Sequence, residues 1–361
     1  HSKLPINVRS WKKTLPLGSD HQTIWDELRP LLQRHSYLPK IPRLYFPDTH
    51  KLKNASLMNW NHFLVLNGIS HAARRLHDSQ DVILRVITAG GQGHTHLKIY
   101  RRLIAPPDIL MSNNHILPIL HEIIYQDITI VAVPTLMFDP CPFLFEDMLH
   151  MVLQMFEGTA YLHRNLIAYR DLFLANFMVE WMPESLIERS FGVRPRVYII
   201  DFETAVEFPT DSTDRKCSDP PVILSEYGRP VAPELSSGLP YCPFRLDMWQ
   251  IAFDLYTVYH TGLIEIDTLW ADLTVDAPED RPTADEAMQM LDTYLRKTPP
   301  SELHRPGPEF DVQVPVQVAT PSAIPNIPAT ESLTDTTDTW VILGQIVFNR
   351  LLKEPACVTK R

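Results

Sequence analysis

The chain has 361 residues, 45% hydrophobic and 21% charged, with a formal net charge of −10. That is ordinary globular composition, and the length allows one large domain or two of moderate size. The acidic balance argues against a nucleic-acid binder that works through a broad basic face, and it leaves small ligands and protein partners open.

The first eighteen residues, HSKLPINVRSWKKTLPLG, carry positive charge with no apolar run behind them, so no signal peptide is expected. Residues 1–66 read as an irregular, proline-punctuated extension with one helix near Thr23–Arg34. HAARRLHDSQDVILRVI (71–87) predicts two strands joined by a tight His-Asp-Ser-Gln turn. AGGQG (89–93) follows. A glycine loop between strand and helix can cradle phosphate, but this one lacks a following Lys-Ser/Thr and the full G-x-G-x-x-G, and it reads as a connector. HTHLKIYRRLI (94–104) fits a short helix, and residues 115–138 hold two further strands, Ile128–Val133 being the clearer.

A stripe of Leu149, Val152, Leu153, Phe156, Ala160 and Leu162 predicts a helix over 145–165. RVYIIDFETAVEF (196–208) is a buried strand interrupted by Asp201, and from Ala232 onward the pattern is mostly helical. Strands first and helices afterwards predict an α+β, bilobal chain. Residues 299–338, rich in Pro, Ser and Thr, read as a linker. The apolar segment within 339–361 either docks back on the domain or serves a partner or a membrane surface.

No apolar run reaches the roughly 18 residues that span a bilayer. Cys141, Cys217, Cys242 and Cys357 show no CxxC or metal-ligand spacing, which predicts a reduced, intracellular setting, cytoplasmic or nuclear. The fifteen histidines form no H-E-x-x-H, and there is no G-x-S-x-G.

Chemistry concentrates in AYRDLFLANFMVEW (168–181), where Arg170, Asp171 and Asn176 sit among apolar residues. Unpaired buried charge is costly, so such groups either find partners or serve a reaction. Asp201, at the end of the apolar VYII, adds a third oxygen-bearing side chain. Asp171, Asn176 and Asp201 together suit orienting a hydroxyl and holding Mg²⁺ against phosphate oxygens. For Asp201 and Asn176, capping a turn is the alternative.

These landmarks resemble the protein kinase family over most of residues 70–295. YRDLFLAN (169–176) is similar to H-R-D-x-x-x-x-N with Tyr for His, and DFE (201–203) stands where D-F-G is expected. APE (232–234) is intact, DMW (247–249) matches a D-x-W, and DRPTADEAM (280–288) resembles the Arg-bearing segment near the domain's end. More narrowly, RDLFLANFMVEW, RPRVYIIDFETAVEF and YCPFRLDMW resemble a divergent kinase-like group of mushroom-forming fungi.

The resemblance implies a two-lobed kinase-like domain over 67–298, with a β-rich lobe at about 67–138 and a helical lobe at about 139–298. It implies Asp171 as base, Asn176 and Asp201 as metal ligands, and Arg85, Asn176 and Asp201 at ATP. Arg170 would meet a phosphate on the segment 205–231, or else backbone carbonyls. Glu234 and Arg281 would form a buried ion pair, and Asp247 would be structural. ATP and Mg²⁺ are the implied cofactors, weakly held, and a protein substrate or regulatory partner is implied.

The departures bear on activity. Residues 60–80 contain only Gly68 where a glycine-rich loop is expected, and Arg85 is the only cation in DVILRVI. Residues 82–121 hold no Glu, offering His94, His96 and Lys98 instead, and Glu203 replaces the Gly of D-F-G. Arg supplies charge without the compact ammonium of Lys. Two readings follow: a pseudokinase or very weak kinase acting as a regulatory or interaction module, or an active, divergent Ser/Thr kinase.

Overall fold

The computed structural model describes residues 4–13, 21–39, 68–137, 144–180, 194–258 and 261–304. The segment 339–361, most of the expected linker, Cys141 and Cys357 lie outside the described residues.

Five strands form one antiparallel sheet: β1 (Tyr37–Pro39), β2 (Ser70–Arg75), β3 (Asp81–Thr88), β4 (His121–Tyr125) and β5 (Ile128–Pro134). Their order is β1-β2-β3-β5-β4. The expected turn closes β2 onto β3, with the Arg75 N–H donating to the Gln80 carbonyl at 2.8 Å. Alternation along β3 decides what each face meets. Val82, Leu84 and Val86 enter a core with Trp11, Trp25, Leu28 and Leu32. Ile83 and Ile87 pack on the other face with Leu97, Val131 and Val133. Arg85, in register with Ile83 and Ile87, is thereby aimed away from the tryptophan core.

The tryptophans come from α1 (Val8–Trp11) and α2 (His21–Arg34). Described parts of the expected N-terminal extension therefore build the sheet's core, and Tyr37 of β1 pairs with Arg75 of β2. The Trp25 indole N–H donates to the Gly68 carbonyl at 2.9 Å, fixing α2 beside the start of β2. Pro30 lies inside α2, and the two tryptophans stand fourteen residues apart on different helices, so no single repeat joins them.

AGGQG joins β3 to α3 (His94–Leu103) and is occupied as a connector. Gly93 has φ +84, and a Cβ there would stand 1.9 Å from the Ile87 carbonyl oxygen. Gly90 has φ +59, and its Cβ would stand 2.2 Å from the Ile6 carbonyl oxygen, so the N-terminal segment lies directly on the loop. The Gly90 N–H donates to Asp127 Oδ2 at 2.7 Å. The Gln92 side chain accepts from the Arg9 N–H at 3.2 Å.

The remaining structure is mostly helical: α4 (Phe145–Arg164), α5 (Pro233–Ser236), α6 (Pro243–Val258), α7 (Ile264–Leu273), α8 (Ala284–Lys297) and α9 (Pro300–Leu303). Short strands β6 (Leu136–Met137), β7 (Ile167–Ala168), β8 (Phe177–Glu180), β9 (Val197–Ile199) and β10 (Val206–Glu207) lie between. The predicted α4 stripe supplies Leu149, Val152, Phe156, Ala160 and Leu162 to a core shared with Met248, Ile251, Trp270 and Leu291. Leu303 of α9 also enters this core, past the point where the linker was expected to begin. The fold is mixed α/β, a sheet with helices packed beside it. Among the described residues no helix is long and apolar enough to cross a membrane.

Candidate functional site

Two strand pairings bring the candidate residues together. Asn176 ends a 3-10 turn, Leu174–Asn176, and directly precedes β8. Phe177 pairs with Ile199 across β8 and β9, and the Ile200 N–H donates to the Asn176 carbonyl at 3.1 Å. That register places Asp201, two residues past β9, beside Asn176. The β7–β10 pair, Ala168 opposite Val206, closes the other side of the loop that carries Asp171.

The loop is held from below by one face of α6. Asp247, fully buried, accepts from the Tyr169 N–H at 2.8 Å and the Arg170 N–H at 2.6 Å. Gln250 accepts from the Leu172 N–H at 2.8 Å, and Asp254 accepts from the Leu174 N–H at 2.8 Å. Residues 247, 250 and 254 recur at helical spacing, so one polar stripe satisfies four loop N–H groups. Leu172 and Phe173 are buried between these contacts. Tyr169, the residue standing for His, packs edge-on against Phe202 at 5.4 Å, and its hydroxyl donates to the Ile200 carbonyl.

Asp171 is enclosed by partners. Its Oδ2 accepts from Asn176 Nδ2 at 3.0 Å, and its Oδ1 accepts from the Tyr227 hydroxyl at 3.0 Å. Arg229 Nε lies 3.3 Å from the same Oδ1 and holds its guanidinium 4.9 Å from the Phe173 ring centre. Burial lifts the Asp171 carboxyl above its ordinary range, although Arg229, Tyr227 and Asn176 oppose the shift. Asp201 is near enough for its charge to push in the same direction.

At Asp201 one oxygen is paired and one is not. Arg85 Nη2 donates to Oδ2 at 2.7 Å, whereas Oδ1 is buried with no hydrogen-bond partner. Asp201 itself has φ +62, a left-handed backbone that a non-glycine residue adopts only when its surroundings impose it. Burial pushes this carboxyl up, but Arg85, Lys12 and His96 more than offset that and hold it below the usual carboxylate range. Arg85, with no Glu beside it in α3, is thereby fixed by Asp201.

His96 of α3 occupies the ground where a Glu partner was expected. Its Nε2 accepts from the Phe202 N–H at 3.3 Å and its Nδ1 lies 4.0 Å from Asp201 Oδ1. Burial drives the His96 pKa down to about 4, with Arg85 and Lys12 adding to the drop against Asp201, so the ring is neutral at pH 7. Lys12, just past α1, pairs with Glu203 across the sequence.

Arg170 donates to the Asp219 carbonyl at 2.8 Å, so a backbone carbonyl of the 205–231 segment occupies it. Glu234 and Arg281 form a buried two-pronged pair, Nη1 to Oε1 at 2.6 Å and Nη2 to Oε2 at 2.9 Å. Arg281 also reaches the carbonyls of Val275, Asp276 and Arg245, so all its donors are used.

The chain is 34% identical over 147 residues to the serine/threonine-protein kinase ppk8 of Schizosaccharomyces pombe. The similarity is to a protein kinase. It covers 40% of this chain and 24% of the relative, so the match spans about a quarter of that protein's length. No protein-family model matches the chain. The mixed α/β arrangement of sheet and helices is compatible with a kinase-like fold.

Of the candidates legible in the sequence, Asp171, Asn176, Asp201 and Arg85 converge, whereas the Arg170 side chain turns to the Asp219 carbonyl. Asp247 holds the Asp171 loop from α6, whereas Glu234 and Arg281 pair with each other away from these groups. Tyr227 was placed only within the 205–231 segment, and Lys12, Arg229, Gln250 and Asp254 were missed. Only the last two had a signal: with Asp247 they form a polar stripe on an otherwise buried helix.

Proposed function

We propose that this chain is a protein-kinase-like domain whose nucleotide site is neutralised from within, and that it works as a regulatory or interaction module with phosphoryl transfer very slow or absent. In this reading the sheet and the helical region are the two lobes of residues 67–298, the first extended by α1, α2 and β1. The chain would fall with the divergent fungal kinase-like group. The partner, a protein, would be read by the domain's surface rather than by turnover.

The observation that carries the reading is the Arg85–Asp201 ion pair, 2.7 Å long. The cation that would hold phosphate is engaged by the carboxylate that would hold metal. Asp171, the candidate base, is likewise occupied on both oxygens.

The donor set still fits Mg²⁺. Asp201 Oδ1 is an unpartnered buried oxygen, and Asn176, with its Nδ2 engaged on Asp171, keeps its Oδ1 for a cation. Among the described residues no group of three or more His, Cys, Asp or Glu is placed to hold a metal. Two protein oxygens suit an ion that takes its other ligands from phosphate and water. Bound there by Asp201 and Asn176, Mg²⁺ would neutralise phosphate charge. The protein's own groups would do the rest: Arg85 would hold phosphate oxygens and Asp171 would orient an incoming hydroxyl.

A second reading, an active Ser/Thr kinase, is favoured by the intact Asp171–Asn176 contact. Transfer of labelled γ-phosphate from ATP to a protein substrate separates the two. The proposal expects wild type and Asp171→Asn to be equally inactive or nearly so. Robust Mg²⁺-dependent transfer that disappears in Asp171→Asn contradicts it.

A further inference from the structure

Lys12 lies outside every segment that resembles a kinase, yet it reaches the site. It follows α1, whose docking is fixed by Val8 and Trp11 in the sheet core and by the close approach of Ile6 to Gly90. Its ammonium pairs with Glu203, the residue beside Phe202 where the family pattern has Gly. Lys12, Arg85, His96 and Glu203 supply the polar part of the lining of one small void of ≈ 10 Å³, the rest of which is mostly apolar, about the room of a single water. Lys12 and Arg85 are the two cations of that void, and each is engaged by one carboxylate, Glu203 and Asp201 respectively.

We propose that Lys12 is a phosphate-binding residue, supplied by the N-terminal segment as the second fixed cation of the nucleotide site. This rests on the nucleotide-site reading above and deepens it. The chemistry is an exchange of anions. An exposed Lys–carboxylate pair is weak, and the Lys12 and Glu203 side chains are 32% and 43% exposed. Phosphate oxygens are stronger, more densely charged acceptors for an ammonium than a single solvated carboxylate. Arg85, held on β3, marks one side of the site, and Lys12 brings the compact point charge that the strand lacks. Docking by α1 also explains why a chain with no Lys in DVILRVI keeps a lysine within reach of the DFE segment.

The test uses the full chain and calorimetric titration with Mg²⁺ plus ATP, Mg²⁺ plus ADP, and adenosine alone. Lys12→Met is expected to weaken Mg–ATP binding about tenfold. Lys12→Arg retains most of it, and adenosine affinity does not change. Because Lys12 is on the surface, the melting point of the ligand-free variant moves by no more than about 2 °C. Glu203→Gln separates a phosphate contact from a tether: it leaves Mg–ATP binding equal or tighter, because Lys12 loses its competitor. Binding by Lys12→Met equal to wild type overturns the inference alone. So does a Glu203→Gln variant weakened as much as Lys12→Met. Wild type that binds neither Mg–ATP nor Mg–ADP overturns the inference together with the nucleotide-site reading.

Discussion

Asp254 shows how burial and hydrogen bonding compete at a single carboxyl. Burial pushes its pKa from 3.8 up to about 6, against the Leu174 N–H bond and the Arg229 charge. The folded state therefore binds a proton that the unfolded state has lost between these two values. Stability from this group is present in full below about pH 4 and is lost as pH rises through about 6. Asp254→Asn should flatten that window and raise stability at pH 7, by up to about 3 kcal/mol. Urea denaturation at several pH values checks it, and an unchanged slope between pH 4 and 6 contradicts it. Asp201 runs the other way: held below the usual range, it contributes stability above its unfolded pKa that is lost only as pH falls further. Tyr227 is the third informative residue. Its hydroxyl donates to Asp171 and accepts from Gln250 Nε2 at 2.8 Å, inside a buried environment. Tyr227→Phe leaves both partners short of a bond and should destabilise by about 1–3 kcal/mol; denaturant unfolding reads it directly.

At the scale of elements, the loop bearing Asp171 is shaped by α6 more than by its own sequence. Helix α6 buries Leu246, Met248, Ile251 and Leu255 on different sides, so a polar stripe can survive only where every group is paired. Glu234 and Arg281 do the equivalent task for α5 and the start of α8. Removing one partner, as in Glu234→Ala, leaves Arg281 charged and buried, and should cost about 3–5 kcal/mol in a calorimetric or urea measurement. A loss under 1 kcal/mol would contradict that role. The elements themselves were largely legible in the sequence. The α4 stripe, the β2–β3 turn and the helical run after Ala232 are local patterns, and local patterns carry periodicity. The alternation of DVILRVI even indicates which face Arg85 takes. The packing of α1 and α2 onto the sheet was not legible, because Trp11 and Trp25 are anchored by tertiary contacts with Gly68 and His71 rather than by any repeat.

For the whole molecule, the candidate site divides the same way. Asp171, Asn176 and Asp201 were readable because ordered landmarks surround them, whereas Lys12 and Tyr227 reach the site from 191 and 56 residues away from their partners. Such contacts exist only once the chain is folded. They also change the charge balance: Arg85 pairs with Asp201, and Lys12 pairs with Glu203. Nucleotide without metal would bring negative charge to carboxylates that already need both cations. Metal without nucleotide would find only two protein oxygens. The two ligands should therefore act together. The decisive measurement is the melting temperature of the full chain with ATP in chelator, with Mg²⁺ alone, and with both. Because bound ligand stabilises the folded state by mass action, the account predicts a concentration-dependent rise with both and almost none with either alone. No rise with both, or an equal rise with ATP in chelator, would contradict it.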